Sequence, residues 1–320
     1  MSVFTRVERA QLEAFLATYE QGDLVEFAGV SDGIVNTNYF VTTSGGRFVL
    51  TLFEELGAEE LPYFIELMRF AHRHGVPCAL PIADRDDQYL RELCGRPALL
   101  VERLNGRAVA SPSLTQCRAI GAALADLHRA GTDFPLHRRT DHGRAWHTMA
   151  AERVLPLLST EDADLLTGEM RFQAAQAYDS LPRGLTHGDL FRDNALFEGE
   201  RLCGIIDFYY ACDHILAHDL AVVVNDWCSE GHGRLDAGRA AALLDAYTAT
   251  RPLTEDEYRL WSAMLRAAAL RYWLSRLYDL HFPRPGDITH AKDPNHFKWI
   301  LLNHRQAQAG TIASYLSTDD

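Results

Sequence analysis

Three features of the 320-residue sequence predict an α+β fold of two lobes, a small antiparallel sheet lobe over residues 1–104 and a larger helical lobe over 105–320. Residues 24 to 53 alternate apolar and polar side chains between turn signals, which is the period of half-buried strands. From Ser113 onward the apolar residues instead recur at helical spacing. The length is about twice that of a usual single domain, enough for two separate cores.

The elements follow in order. Residues 6–19 form a mildly amphipathic stretch, expected to pack on the sheet or on a partner subunit. Strands are expected at 25–27, 39–41 and 48–50, separated by Ser31-Asp32-Gly33 and Ser44-Gly45-Gly46. Leu61, Phe64, Ile65 and Met68 define a helix over 59–74, stopped by Gly75 and Pro77. Segments 88–93 and 98–102 flank Cys94-Gly95-Arg96-Pro97 and complete a five-stranded sheet. The lobes should meet near Leu104-Asn105-Gly106. In the second lobe, Ile120, Leu124 and Leu127 share one face of a helix over 114–130 that ends at Gly131. Helices at 142–158 and 161–179 lead into short strands at 184–186, 195–197 and 203–206, and helices fill most of 214–312.

Composition narrows the function. With 47% hydrophobic and 23% charged residues the chain reads as globular. Its 31 basic and 44 acidic residues give a net charge of −13, so the surface repels phosphate backbones and anionic lipid heads, arguing against nucleic-acid and membrane partners. No run of 18 apolar residues and no signal-like start is found, so a cytoplasmic location is expected. The six cysteines form no C-x-x-C pair and are expected to be reduced and mostly buried.

The chemistry concentrates in His187-Gly188-Asp189-Leu190-Phe191-Arg192-Asp193-Asn194, followed by Ile205-Ile206-Asp207-Phe208. Phosphoryl transfer from a nucleotide requires one carboxylate beside the attacking hydroxyl. It also requires an amide oxygen and a second carboxylate to hold the magnesium that neutralises the phosphates. Asp189, Asn194 and Asp207, in that order and spacing, match the catalytic loop and metal-binding Asp of protein kinases.

With the change of lobe before it, this motif resembles the aminoglycoside phosphotransferase family of protein-kinase-like small-molecule kinases, over residues 24 to about 280. Leu124-Ala125-Asp126-Leu127-His128 is similar to a helix of that family. The resemblance implies a protein-kinase-like fold, with Mg2+ and ATP bound between the lobes. It makes Asp189 the base or orienting carboxylate, Asn194 and Asp207 the metal ligands, and His187 a support of the loop. It also implies that the turn over residues 31–38, with Ser31, Gly33 and Asn36, covers the phosphates, and that the hinge through Glu102 and Leu104 receives adenine. The chain departs from the pattern on its third strand, where Thr51 stands in place of the usual phosphate-contacting Lys. No lysine occurs before residue 292, so Arg47 or another arginine has to reach the phosphates unless a hydroxyl and metal suffice, and Glu66 lacks its usual partner.

The stretch 48–54, with Leu61-Pro62-Tyr63-Phe64, residues 206–212, Asn225-Asp226-Trp227-Cys228, residues 274–279 and Lys292-Asp293-Pro294, is similar to a homoserine-kinase subgroup of that family. The acceptor so implied is L-homoserine, phosphorylated toward threonine. Alternatives are a kinase of another small alcohol, a stress-response kinase of protein hydroxyls, or a non-catalytic nucleotide-binding regulator. A zwitterionic acceptor needs an anion for its ammonium, for which Asp213 and Asp226 are candidates, and a cation for its carboxylate, for which Arg271 and Arg276 are candidates. His214 and His218, four apart beside Asp219, have zinc-like spacing but no third ligand at a helpful interval, so structural histidines are favoured.

Overall fold

Alternation and capping account for most of the first unit. The computed structural model describes residues 5–30, 35–283 and 292–307, and these divide into two compact units, one ending at Asn105 and one starting at Gly106. In the first, strands β1 (Leu24–Gly29), β2 (Thr37–Thr43), β3 (Gly46–Leu52), β4 (Leu90–Leu93) and β5 (Arg96–Glu102) form a sheet of order β1-β2-β3-β5-β4. All its pairings are antiparallel. Tyr39 and Val41 of β2 and Phe48, Leu50 and Leu52 of β3 point to one face. There they share a core with Leu12, Phe15 and Leu16 of helix α1 (Arg9–Leu16). Helix α2 (Leu61–Arg73) buries Leu61, Phe64, Ile65 and Met68, the four residues whose spacing predicts it.

In the second unit α3 (Leu114–Ala130) starts on a Ser113–Gln116 capping box. Gly131 follows it with an ordinary φ of −58°. Its function there is close approach, since a Cβ would lie 2.6 Å from that of Leu185. Helices α4 (Arg144–Val154) and α5 (Thr160–Ala174) precede four short strands, β6 (Arg183–Thr186), β7 (Ala195–Glu198), β8 (Arg201–Ile205) and β9 (Cys212–Ile215). They form two hairpin-like pairs, β6 with β9 and β7 with β8. Strand β9 corrects the expectation of helix from residue 214: Asp213 and His214 are paired to β6, and α6 (Leu216–Trp227) begins only after Ile215. Helices α7 (Ala237–Thr250), α8 (Glu255–His281) and α9 (Asn295–Gln306) follow. Four of the six cysteines are buried, and all six are free thiols. Among the described residues no helix is long and apolar enough to cross a membrane.

Candidate active site

The two strand pairs place the motif residues. The loop from His187 to Asn194 leaves β6, and the β7–β8 hairpin sets Ala195 opposite Ile205. The Ile206 N–H donates to the Asn194 carbonyl at 3.0 Å, so Asn194 and Asp207 stand together at the open end of that hairpin.

Buried polar groups hold the loop. Asp219 of α6 accepts the His187 N–H at 2.8 Å and the Gly188 N–H at 2.9 Å. It also accepts the His128 Nε2–H at 3.0 Å. Burial alone would raise the Asp219 pKa, but the His128 hydrogen bond and charge with the remaining donors outweigh it and bring it to about 2. The His187 ring accepts the Asp189 N–H at Nδ1 (3.2 Å) and lies 3.1 Å from the Ile206 carbonyl at Nε2, which therefore donates. Burial lowers its pKa to about 4, so the ring is a neutral brace joining the loop to the strand before Asp207. Gly188 has φ +79°, and a Cβ there would stand 2.7 Å from the Tyr210 carbonyl oxygen, so no other residue fits.

Asp189 is half-buried. Its Oδ1 accepts from the Tyr272 hydroxyl at 3.0 Å, and its Oδ2 from Asn194 Nδ2 at 3.1 Å. Asn194 Nδ2 also donates to the Asp189 carbonyl at 2.8 Å. Burial, then the charge of Asp207, raises the Asp189 pKa to about 7 against the opposing pull of Arg271 and Lys292. Asp207 adopts a left-handed backbone (φ 65°, ψ 59°). Although its side chain reaches solvent, the crowding of protein around it, then Asp193, raises its pKa to about 6. The donor set fits Mg2+. With Nδ2 of Asn194 committed to Asp189, its Oδ1 remains, and beside it stands the Asp207 carboxylate; both are hard oxygen ligands.

The remaining candidates separate. Ser31 and Gly33 lie outside the described residues. Asn36 Oδ1 accepts the Glu54 N–H at 3.4 Å, and the buried Thr51 hydroxyl donates to Asn38 Oδ1 at 2.7 Å. Glu66 pairs with Arg69 at 2.7 Å and Arg73 at 2.8 Å of its own helix, so it has partners without a strand lysine. Arg47 donates to Asn105 at 2.6 Å. The Glu102 N–H is taken by the Leu80 carbonyl, and Leu104 lies half-buried just beyond β5.

Within the second unit a cavity of about 490 Å³ is lined by Phe191, Arg192, Asp193, Asp226, Arg276 and Lys292, among others. It brings Asp226 and Arg276 together but is not lined by Asp213 or Arg271. Asp213 is engaged by His137 and by the Arg138 N–H at 3.0 Å. Arg271 is buried, its guanidinium 4.1 Å from the centroid of the Tyr272 ring. Asp193 is paired with Lys292 at 2.7 Å. His214 and His218 stack edge to face at 4.7 Å, and among the described residues no three His, Cys, Asp or Glu side chains cluster as a metal site. Sequence reasoning missed Tyr272 and Asp219 as partners of the loop, since they lie 83 and 31 residues or more from the groups they bond.

The model of the phosphotransferase enzyme family matches residues 26–253. The chain belongs to this family. Relatives of this phosphotransferase include a homoserine kinase of Methylobacillus flagellatus, 46% identical over 317 residues and covering 99% of each chain. A homoserine kinase of Neisseria meningitidis is 43% identical over 303 residues, 95% of this chain and 99% of that one. Among solved structures, an amicoumacin kinase in complex with AMP-PNP and Ca2+ matches at a TM-score of 0.70 and 13% identity, over 94% of this chain and 93% of that one. A spectinomycin phosphotransferase in complex with ADP matches at 0.68 and 11%, over 97% and 98%. The protein-kinase-like α+β fold expected from the sequence is the fold these phosphotransferases share with this one.

Proposed function

We propose that the chain transfers the terminal phosphoryl group of ATP to the side-chain hydroxyl of L-homoserine, yielding ADP and O-phospho-L-homoserine. The observation that carries this reading is the Asp189 carboxylate clamped between Tyr272 and Asn194, with the amide oxygen of Asn194 and Asp207 alongside. The acceptor is supported by relatives at 43% and 46% identity over nearly whole chains, both homoserine kinases.

Asp189, held near pKa 7, orients the acceptor hydroxyl and takes up its proton as the oxygen attacks. Asn194 Oδ1 and Asp207 are the ligands for Mg2+, which when bound neutralises charge on the phosphates. Asp219 and His187 keep the loop backbone in place so that Asp189 needs no rearrangement to act. Ser31, Gly33 and Asn36 are assigned to the phosphates, Thr51 to the slot of the absent lysine, and Glu102 and Leu104 to the adenine. A step that consumes ATP and a free amino acid belongs in the cytoplasm. ADP release is to be measured with L-homoserine, L-serine, choline, methylthioribose and an aminoglycoside. L-homoserine should exceed serine by roughly 100-fold, because one missing methylene leaves the serine hydroxyl short of Asp189. A preference for choline or the aminoglycoside would overturn the acceptor and leave only the kinase chemistry.

A further inference from the structure

The 490 Å³ cavity of the second unit contains opposite charges that do not meet. Arg276 donates Nη1 to the Asp293 carbonyl at 3.0 Å and packs 4.6 Å from the centroid of the Phe297 ring. Among the described residues it makes no ion pair with any carboxylate. The guanidinium is half-buried with no carboxylate in contact, although Asp226 and Asp193 lie near enough for their charges to act on it, and desolvation without a direct partner is costly. Across the same cavity Asp226 uses its two oxygens unequally. Oδ2 accepts the Arg192 backbone N–H at 2.7 Å and Arg192 Nε at 3.2 Å, whereas Oδ1 has only a marginal 3.5 Å approach from Arg192 Nη2. One planar fork and one carboxylate oxygen thus face a shared space with bonding capacity left over.

Resting on the acceptor reading above, we infer that this cavity reads the head group of an α-amino acid: Arg276 binds the carboxylate and Asp226 Oδ1 the ammonium. The arrangement also sets a length. Asp226 holds the backbone of Arg192, which lies in the loop between Asp189 and Asn194, so the anchor for the head group and the carboxylate that receives the hydroxyl belong to one hydrogen-bonded unit. A hydroxyl at the wrong distance from the head group then misses Asp189.

The test uses the full chain with three acceptors: L-homoserine, 3-aminopropan-1-ol, which lacks the carboxylate, and 4-hydroxybutanoate, which lacks the ammonium. Arg276→Met should lower kcat/KM for L-homoserine by roughly 100-fold, mainly through KM, and leave 3-aminopropan-1-ol within about threefold of wild type. Arg276→Lys should recover part of the loss. Asp226→Asn should erase the preference for L-homoserine over 4-hydroxybutanoate. An equal loss on all three acceptors, or none on L-homoserine, would overturn the inference. Calorimetric titration of L-homoserine separates this from the reading beneath it: binding that Arg276→Met abolishes, without phosphoryl transfer in wild type, sustains the head-group site and refutes the kinase reaction. Transfer that Arg276→Met leaves intact does the reverse.

Discussion

The two units differ in what they bury. The sheet unit is closed by hydrocarbon and rings such as Leu12, Tyr39, Val41, Leu50 and Leu100, and among the described residues its buried polar side chains are three threonines and Asp84. The helical unit buries whole polar assemblies: His128 with Asp219 and His187, Asn225 with His304, and the ion pairs Arg266–Glu169 and Arg251–Glu257. An apolar core tolerates small shifts in packing, whereas a buried hydrogen-bonded network is stable only in the arrangement that satisfies every member. The unit that carries the loop from His187 to Asn194 is therefore the one built for a single backbone geometry.

The largest expected effect tests that claim directly. Asp219→Asn replaces a carboxylate that accepts two backbone N–H groups and a histidine by an amide that must present its own donors to them. It should destabilise the protein by about 3–5 kcal/mol in urea unfolding and cut kcat as well. A variant as active and stable as wild type would show that the buried network does not fix the loop. Asp189→Asn keeps the shape and removes the carboxylate proposed as the base, so kcat should fall by roughly 100-fold or more with Mg-ATP affinity nearly intact in calorimetry. Leu50→Ala, in the fully buried centre of the sheet, should cost about 2–4 kcal/mol yet leave kcat per folded molecule within about twofold.

A smaller effect appears with pH, and its sign follows from the histidines of the helical unit. His147, His187, His214 and His304 are lowered to about 4, chiefly by burial, and His218 is lowered well below its usual value for the same reason. Unfolded, each binds a proton near pH 6.5, so stability is full above that and is lost as pH falls toward 4, by up to ~1.4 kcal/mol per pH unit for each group. Asp189 and Asp207, raised to about 7 and 6, act oppositely, since the folded state holds their protons where the unfolded state does not. The urea midpoint should therefore fall from pH 7.5 to 5, and fall more steeply in Asp189→Asn. Least of all, Thr51→Val removes the hydroxyl bonded to Asn38 and should cost about 1 kcal/mol in urea unfolding, with its effect on activity falling on KM for ATP.

The same contrast separates what could be read in the sequence from what could not. Strand alternation in residues 37–52 and the spacing of Leu61, Phe64, Ile65 and Met68 are local patterns, and they mark the sheet and α2 correctly. The positions of Asp189, Asn194 and Asp207 are likewise local, as one loop and one hairpin bring them together. The role of Asp219 is hidden because two of its partners are backbone N–H groups, which leave no trace in residue type, and the third, His128, lies 91 residues away. Strand β9 is hidden because its four residues run straight into α6, and its partner β6 lies about thirty positions earlier.

Helix α8 sets Tyr272 and Arg276 four residues apart, about 6 Å along the axis and on the same side. The hydroxyl of Tyr272 touches Asp189, and Arg276 lines the cavity assigned to the amino-acid head. Both side chains stand on one 27-residue helix seated by the buried Trp261, Trp273 and Leu274, so a single element sets the spacing between the two contacts. The ruler against which the acceptor is measured is then the rise of a helix rather than the course of a loop.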